Sequence, residues 1–234
     1  MDFNKYVKSE GRPLPVFLLV DVSGSMHGQK IDTVNVALKE MINQFRTIEN
    51  PKGIIQLCIV TFGGGGAHII KPLSEIKEDD VYVLSASGDT PMGAALQIAY
   101  DSIEDYNVVS SRAYTPTIVL ISDGNPTSFN ANGKSVDEIK KWSKMSQIHS
   151  GTRTSKAVRL AMGIGDDMNI NLLKAFINNE SVPVIMAKDH STISKFFEWV
   201  TMTVSVRSVS ANPNLAQVVD PGDIFDEDEV DFES

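Results

Sequence analysis

Asp21-Val22-Ser23-Gly24-Ser25 follows directly on the hydrophobic run Leu14–Val20 and precedes a helical pattern. One carboxylate and two hydroxyls therefore leave a buried strand on one short turn. Oxygen donors of this kind suit a hard divalent cation such as magnesium or manganese. Two later segments end in the same manner, Gly88-Asp89-Thr90-Pro91 and Ile121-Ser122-Asp123-Gly124. Together the three predict one metal site assembled from separate loops. Each residue also has a plainer reading. Ser23 or Ser25 suits the N-cap of the helix that follows, as does Thr90 before Pro91, and Asp123-Gly124 is common turn composition. The joint placement, and no single residue, favours a metal.

The elements that would position these residues alternate between strand and helix. Leu14–Val20 reads as a strand buried on both faces, rich in β-branched and aromatic residues and without alternation. Lys30–Ile48 carries Ile31, Val34, Ala37, Leu38, Met41, Ile42 and Phe45 at helical spacing. Ile54–Phe62 is the second strand, and His68–Lys71 a short extended piece beyond Gly63-Gly64-Gly65-Gly66. Further helices are predicted over Pro91–Tyr106, Ser135–His149, Asn169–Asn178 and Ser191–Val204, with strands over Thr117–Ser122, Ala157–Ile164 and Val182–Ala187. This order predicts an α/β fold: a doubly wound, mostly parallel central sheet of about six strands flanked by helices on both faces. Asp21 and Asp123 then lie at the C-terminal strand edge, where such sheets hold their ligands. The domain is expected over residues 14–206, after an extension at 1–13. From about Arg207 periodicity fades, so 207–234 is expected to be an unstructured acidic tail punctuated by turns at Asn212-Pro213-Asn214 and Asp220-Pro221-Gly222.

Of 234 residues, 42% are hydrophobic, which suits one larger domain or a domain plus a tail. No apolar run reaches the ~18 residues of a membrane span. The N-terminus lacks an apolar signal core, so the expected location is the cytoplasm. The single cysteine, Cys58, excludes a disulfide framework and reads as a buried thiol. The net charge is −9, but seven of the 30 acids lie in residues 223–234, which hold no base. The rest is close to neutral and has no basic stripe for nucleic acid. The tail reads as a solvated extension; a sharper alternative has one of its carboxylates filling the open metal position.

With the three loops in view, residues 14–204 resemble the von Willebrand factor A-domain family. That family's metal-ion-dependent adhesion site has D-x-S-x-S after the first strand, a threonine before a central helix and an aspartate after the fourth strand. Here those are Asp21, Ser23 and Ser25, then Thr90, then Asp123. The phrases Phe17-Leu18-Leu19-Val20-Asp21-Val22-Ser23-Gly24-Ser25-Met26, Gly88-Asp89-Thr90-Pro91-Met92-Gly93 and Ile121-Ser122-Asp123-Gly124-Asn125-Pro126-Thr127 are similar to those of the bacterial TerY-like, tellurite-resistance-associated group. The resemblance implies a Rossmann-like sheet and bound Mg2+ or Mn2+. Ser23, Ser25 and Thr90 would supply hydroxyl oxygens, and Asp21 and Asp123 would bind directly or through water. It also implies a protein ligand presenting Glu or Asp, with phosphatase or kinase partners in stress-response or conflict systems. The rim expected to meet a partner comprises His27, Gly64, Gly65, Asp89 and Asn125.

A cation held by hydroxyls and only two carboxylates keeps a demand for one more anionic oxygen. The leading expectation is therefore a metal-dependent interaction module, not an enzyme. The alternative is a magnesium-dependent phosphohydrolase. A haloacid-dehalogenase-type site needs a second carboxylate two residues after the first, and Ser23 stands there. Neither serine lies in a Gly-x-Ser-x-Gly elbow, and no Gly-Lys-Ser/Thr follows Gly63–Gly66. His27, His68, His149 and His190 show no zinc-ligand spacing. A third reading is a metal-free structural subunit that keeps the motif passively. Trp142 and Trp199, in helical patterns, read as packing residues.

Overall fold

Seven strands form one sheet in the computed structural model, which describes residues 11–49, 51–165, 168–215, 218–225 and 230–231. They are β1 (Arg12–Val22), β2 (Gly53–Gly63), β3 (Gly66–Glu75), β4 (Thr117–Ser122), β5 (Val158–Ile164), β6 (Val184–Ala187) and β7 (Val230–Asp231), in the order β3-β2-β1-β4-β5-β6-β7. The ladders β2–β1–β4–β5–β6 are parallel; β3 and β7 add antiparallel edges. The helices are α1 (Gln29–Arg46), α2 (Met92–Glu104), α3 (Val136–Lys140), α4 (Ser143–Ser150), α5 (Ile170–Ile177) and α6 (His190–Val209). α1 packs on α6, while α2, α4, α3 and α5 touch in succession. This is the doubly wound, mostly parallel α/β architecture read from the sequence. Among the described residues no helix is long and apolar enough to cross a membrane.

β1 lies at the centre because its residues are apolar on both faces: Leu14 and Val16–Val20 are all buried. It pairs with β2 on one side and β4 on the other. The chain winds away from β1 in both directions, so the crevice at the reversal opens beside Asp21.

Several expected boundaries move. β3 runs from Gly66 to Glu75, well beyond His68–Lys71. Its pattern is obscured by Lys71, only 2% exposed, whose ammonium meets Asp80 at 3.3 Å and Ser74 Oγ at 2.8 Å. The helix expected over Ser135–His149 divides into α3 and α4. Trp142 is extended there (φ −58°, ψ 129°), and its ring stacks on Phe129 with centroids 4.8 Å apart. α6 continues five residues past Val204, so the boundary expected at 206 falls inside it.

The unstructured stretch expected from 207 is corrected for the residues described. The fully buried Arg207 donates to Thr115 O at 2.8 Å, to Pro213 O at 3.2 Å and to Thr117 Oγ1. Trp199 Nε1 donates to Val219 O at 2.7 Å, and Phe225 meets the Trp199 ring edge-on, centroids 6.0 Å apart. Val230–Asp231 pairs with β6. Isolated anchors of this kind leave no periodic trace in the sequence. The acidic residues 226–229 and 232–234 lie outside the described residues, as do positions 1–10 of the expected extension.

Cys58 is buried, as expected, and burial pushes its thiol up to about 12. His149, whose Nε2 faces Phe176 O at 3.4 Å, is held below the ordinary histidine range by burial and then by the Arg159 charge. The unfolded chain therefore takes up this proton more readily than the folded one. Stability should be intact above the unfolded value, about 6.5, and fall as pH drops through the lower folded value. Urea denaturation at pH 7.5 and 5.5 should show a smaller acid loss for His149→Gln than for wild type. The difference should stay under about 1 kcal/mol, because the ring is partly solvated.

Candidate metal centre

Asp21 and Ser122 occupy the ends of the adjacent strands β1 and β4. Asp21 is fully buried. Its Oδ2 accepts from Ser122 Oγ at 2.6 Å and its Oδ1 from Ser23 N at 2.8 Å. No basic side chain reaches it among the described residues. Burial drives its carboxyl above the usual carboxylate range; the Ser122 and Ser23 hydrogen bonds oppose this, and the Asp123 charge adds a smaller upward push.

The other ligand candidates join the same cluster. Ser23 Oγ and Ser25 Oγ lie 3.1 Å apart, and Ser25 Oγ donates to Asp123 Oδ1 at 2.7 Å. Lys30 Nζ lies 2.8 Å from Asp123 Oδ2. The capping reading of the serines fails: the short turn Gly24–Met26 takes no side-chain cap from Ser23, and α1 begins after Gly28 at φ 85°. The hydroxyls thus stay with the carboxylates.

The loop carrying Thr90 is pinned through its backbone. Ser87 N donates to Val22 O at 2.7 Å, Gly24 N to Gly88 O at 2.8 Å, and Gly64 N to Ser87 O at 2.5 Å. Close approach demands glycine here: a Cβ on Gly88 (φ +69°) would lie 2.5 Å from Gly64 Cα. The turn at Gly64 and Gly65 is accordingly a platform for this loop. Thr90 N donates to Thr127 Oγ1 at 2.9 Å, and Thr90 O accepts from Thr127 N at 2.9 Å. The N-cap of α2 is Pro91, so Thr90 does not cap it. Asp21, Ser23, Ser25 and Asp123 thus form one hydrogen-bonded cluster, and the half-buried Thr90 is held beside it by backbone bonds.

Of the rim residues, His27 and Asp89 are exposed. Asn125 Nδ2 donates to Asn132 Oδ1 at 2.8 Å, while its buried Oδ1 has no partner among the described residues. His27 borders a cavity of about 440 Å³ shared with Gln29, Lys30, Gly165, Lys188 and His190. A larger cavity, about 740 Å³, lies away from the carboxylates, between α3, the end of α5 and the start of β6. Sequence reasoning missed Ser122, Thr127 and Lys30. A signal existed for Lys30: it is a cation in the first turn of α1, where the helix dipole disfavours positive charge. Ser122 and Thr127 had none beyond proximity to Asp123.

Residues 16–125 match the family model described as the von Willebrand factor type A domain. Over that span, a little under half of its length, the chain is similar to a von Willebrand factor type A domain. Its fold is shared with a von Willebrand factor type A protein from Catenulispora acidiphila at TM-score 0.62 and 19% identity, over 83% of this chain and 43% of that one. Proximal thread matrix protein 1 of the mussel byssus, solved with zinc in its MIDAS motif, matches at TM-score 0.61 and 20% identity, over 83% and 46%. The pilus adhesin SpaC of Lactobacillus rhamnosus GG, in an open conformation, matches at TM-score 0.65 and 14% identity, over 85% and 31%. At these identities the likeness is one of fold, and this chain spans less than half of each relative's length.

The donor set of this cluster fits a hard divalent ion. Among the described residues no three His, Cys, Asp or Glu side chains converge, as a nitrogen- or sulfur-rich site would require. Hydroxyls and two carboxylates suit magnesium or manganese. A fully buried carboxylate met only by neutral donors is costly, and a cation offsets that cost.

Proposed function

We propose that the domain is a protein-binding module that holds Mg2+ or Mn2+ with Ser23, Ser25, Thr90, Asp21 and Asp123, an intact metal-ion-dependent adhesion site. Once bound, the ion would supply a Lewis-acidic position for a Glu or Asp side chain of a partner protein. Asp21 anchors the cluster from the end of β1, and Ser122 fixes the orientation of its carboxylate. Ser25 links the first loop to Asp123, and Thr127 fixes the backbone of Thr90. The observation that carries the reading is the burial of Asp21 without a basic partner beside serine hydroxyls already gathered around Asp123.

The reading is of a binding module and not an enzyme. Its support is Ser23, which stands where a phosphohydrolase would need a second acid. The three motif phrases further support a cytoplasmic TerY-like protein in a stress-response or tellurite-resistance assembly, with phosphatase or kinase partners. Recovery of such proteins by the metal-loaded chain, and not after chelation, is the test of that narrower reading.

The central test is calorimetric titration with millimolar MgCl2 and MnCl2, followed by a short peptide bearing one glutamate. Metal uptake is expected, with peptide binding only in its presence and only for glutamate over glutamine. Equal peptide binding in chelator, or no metal uptake, would overturn the reading.

A further inference from the structure

We infer that Lys30 is a tethered cation that competes with the divalent ion for Asp123 and, when displaced, grips the carboxylate of the ligand. The inference rests on the metal reading above and adds a determinant of its affinity. Three observations carry it. Lys30 Nζ lies 2.8 Å from Asp123 Oδ2, and the Asp123 side chain is only 1% exposed, so the ammonium draws on the very carboxylate the metal would use. Lys30 stands in the first turn of α1, where the helix dipole opposes a cation; Asp32 shares that turn, and the ion pair of Lys30 is with Asp123. Its side chain is 34% exposed and forms one wall of the cavity shared with His27, Gln29, Gly165, Lys188 and His190.

That cavity gives the ammonium somewhere to go. The residue facing the ammonium on this side is Gly165 (φ +85°), whose Cβ position lies 3.6 Å from Lys30 Nζ, at ordinary contact distance. A lysine head is a compact charge on a flexible four-carbon stem. It can leave Asp123 and remain beside the cluster. Two like-signed cations sharing one buried carboxylate repel, so Lys30 weakens metal binding. After displacement, the same charge faces an incoming carboxylate from the cavity side and strengthens its binding. Removing Lys30 should therefore move two affinities in opposite directions, which a purely structural role would not do.

The test uses the full chain as wild type, Lys30→Met and Lys30→Arg, with circular dichroism as a check of folding and Lys30→Gln in reserve if the methionine variant does not fold. Calorimetry with MgCl2 and MnCl2 should show metal affinity raised about tenfold or more in Lys30→Met and near wild type in Lys30→Arg. Without metal, the thermal midpoint of Lys30→Met should fall, because Asp123 loses its counter-charge, and saturating magnesium should remove the difference. At saturating magnesium, an acetylated Gly-Glu-Gly peptide should bind Lys30→Met about threefold or more weakly than wild type. Metal affinity unchanged or reduced in Lys30→Met overturns the competition, and unchanged peptide affinity overturns the grip. Metal binding by wild type with no change in the variant sinks this inference alone. Failure of both proteins to bind metal sinks the underlying metal reading with it.

Discussion

Asp21→Asn should abolish divalent binding while leaving the metal-free protein at least as stable as wild type. The substitution keeps the shape of the side chain and removes its charge. The amide oxygen can still accept from Ser23 N, and the amide nitrogen can donate to Ser122 Oγ, which in turn has Gly124 O at 3.4 Å. One amide N–H gains Ser122 Oγ as acceptor and the other gains none, a smaller cost than the uncompensated buried charge that disappears; such exchanges are commonly neutral or stabilising, here by about 1 kcal/mol. Metal affinity should fall about a hundredfold or more, since the ion loses a formal charge from its coordination sphere. The pH dependence separates the two proteins further. The Asp21 carboxyl is raised in the folded state, so the folded chain binds that proton more readily than the unfolded one. Wild type without metal should then gain stability as pH falls through the raised value, and Asp21→Asn should not show this gain. Calorimetry, with thermal denaturation in chelator at neutral and mildly acidic pH, reads all three effects. Wild-type magnesium affinity in the variant would remove Asp21 from the site; a loss of several kcal/mol in chelator would show that its charge is needed by the fold.

Trp199→Ala should be among the most damaging single changes, at about 3–5 kcal/mol. The ring is fully buried in α6, contacts Phe196 at 5.9 Å and Phe225 at 6.0 Å between centroids, and donates to Val219 O. Truncation opens a cavity and releases the segment beyond α6 together. Trp199→Phe separates the two: most apolar contact survives, while the bond to Val219 is lost at about 1 kcal/mol. Urea unfolding measures the stabilities, and limited proteolysis reports whether residues 210–225 become accessible. A loss below about 1 kcal/mol for the alanine variant would mean that Trp199 does not anchor this segment.

The sheet centre and the loops that leave it were legible because each is marked by residues that leave little choice. β1 and β4 are apolar on both faces and must be buried on both faces, so their C-terminal ends, and Asp21 and Asp123 with them, fall on one edge. What stayed hidden follows from pairings between distant residues. Lys71 looks solvated until Asp80 is brought to it. Trp142 looks helical until Phe129 stacks on its ring. The segment after α6 reads as loop, because its hold on the domain comes from Trp199 and Arg207, neither of which repeats. At the site, the hydroxyl and carboxylate donors were visible as a motif. Lys30 was passed over, because a lysine in a helix is ordinarily a solvated residue; its place in the first turn of α1 was the one hint, and the geometry sets it against Asp123.

The β7 pairing with Val184 and Ile185 has a consequence for how copies of this protein meet. A border strand with a free row of amides and carbonyls invites a neighbour to extend the sheet, and here Val230–Asp231 of the same chain already pairs with part of that row. Any molecule seeking to pair with Val184 and Ile185 must first evict a segment that is covalently at hand. The six acids of the sequence 226–234 add a long-range charge that repels another copy bearing the same run.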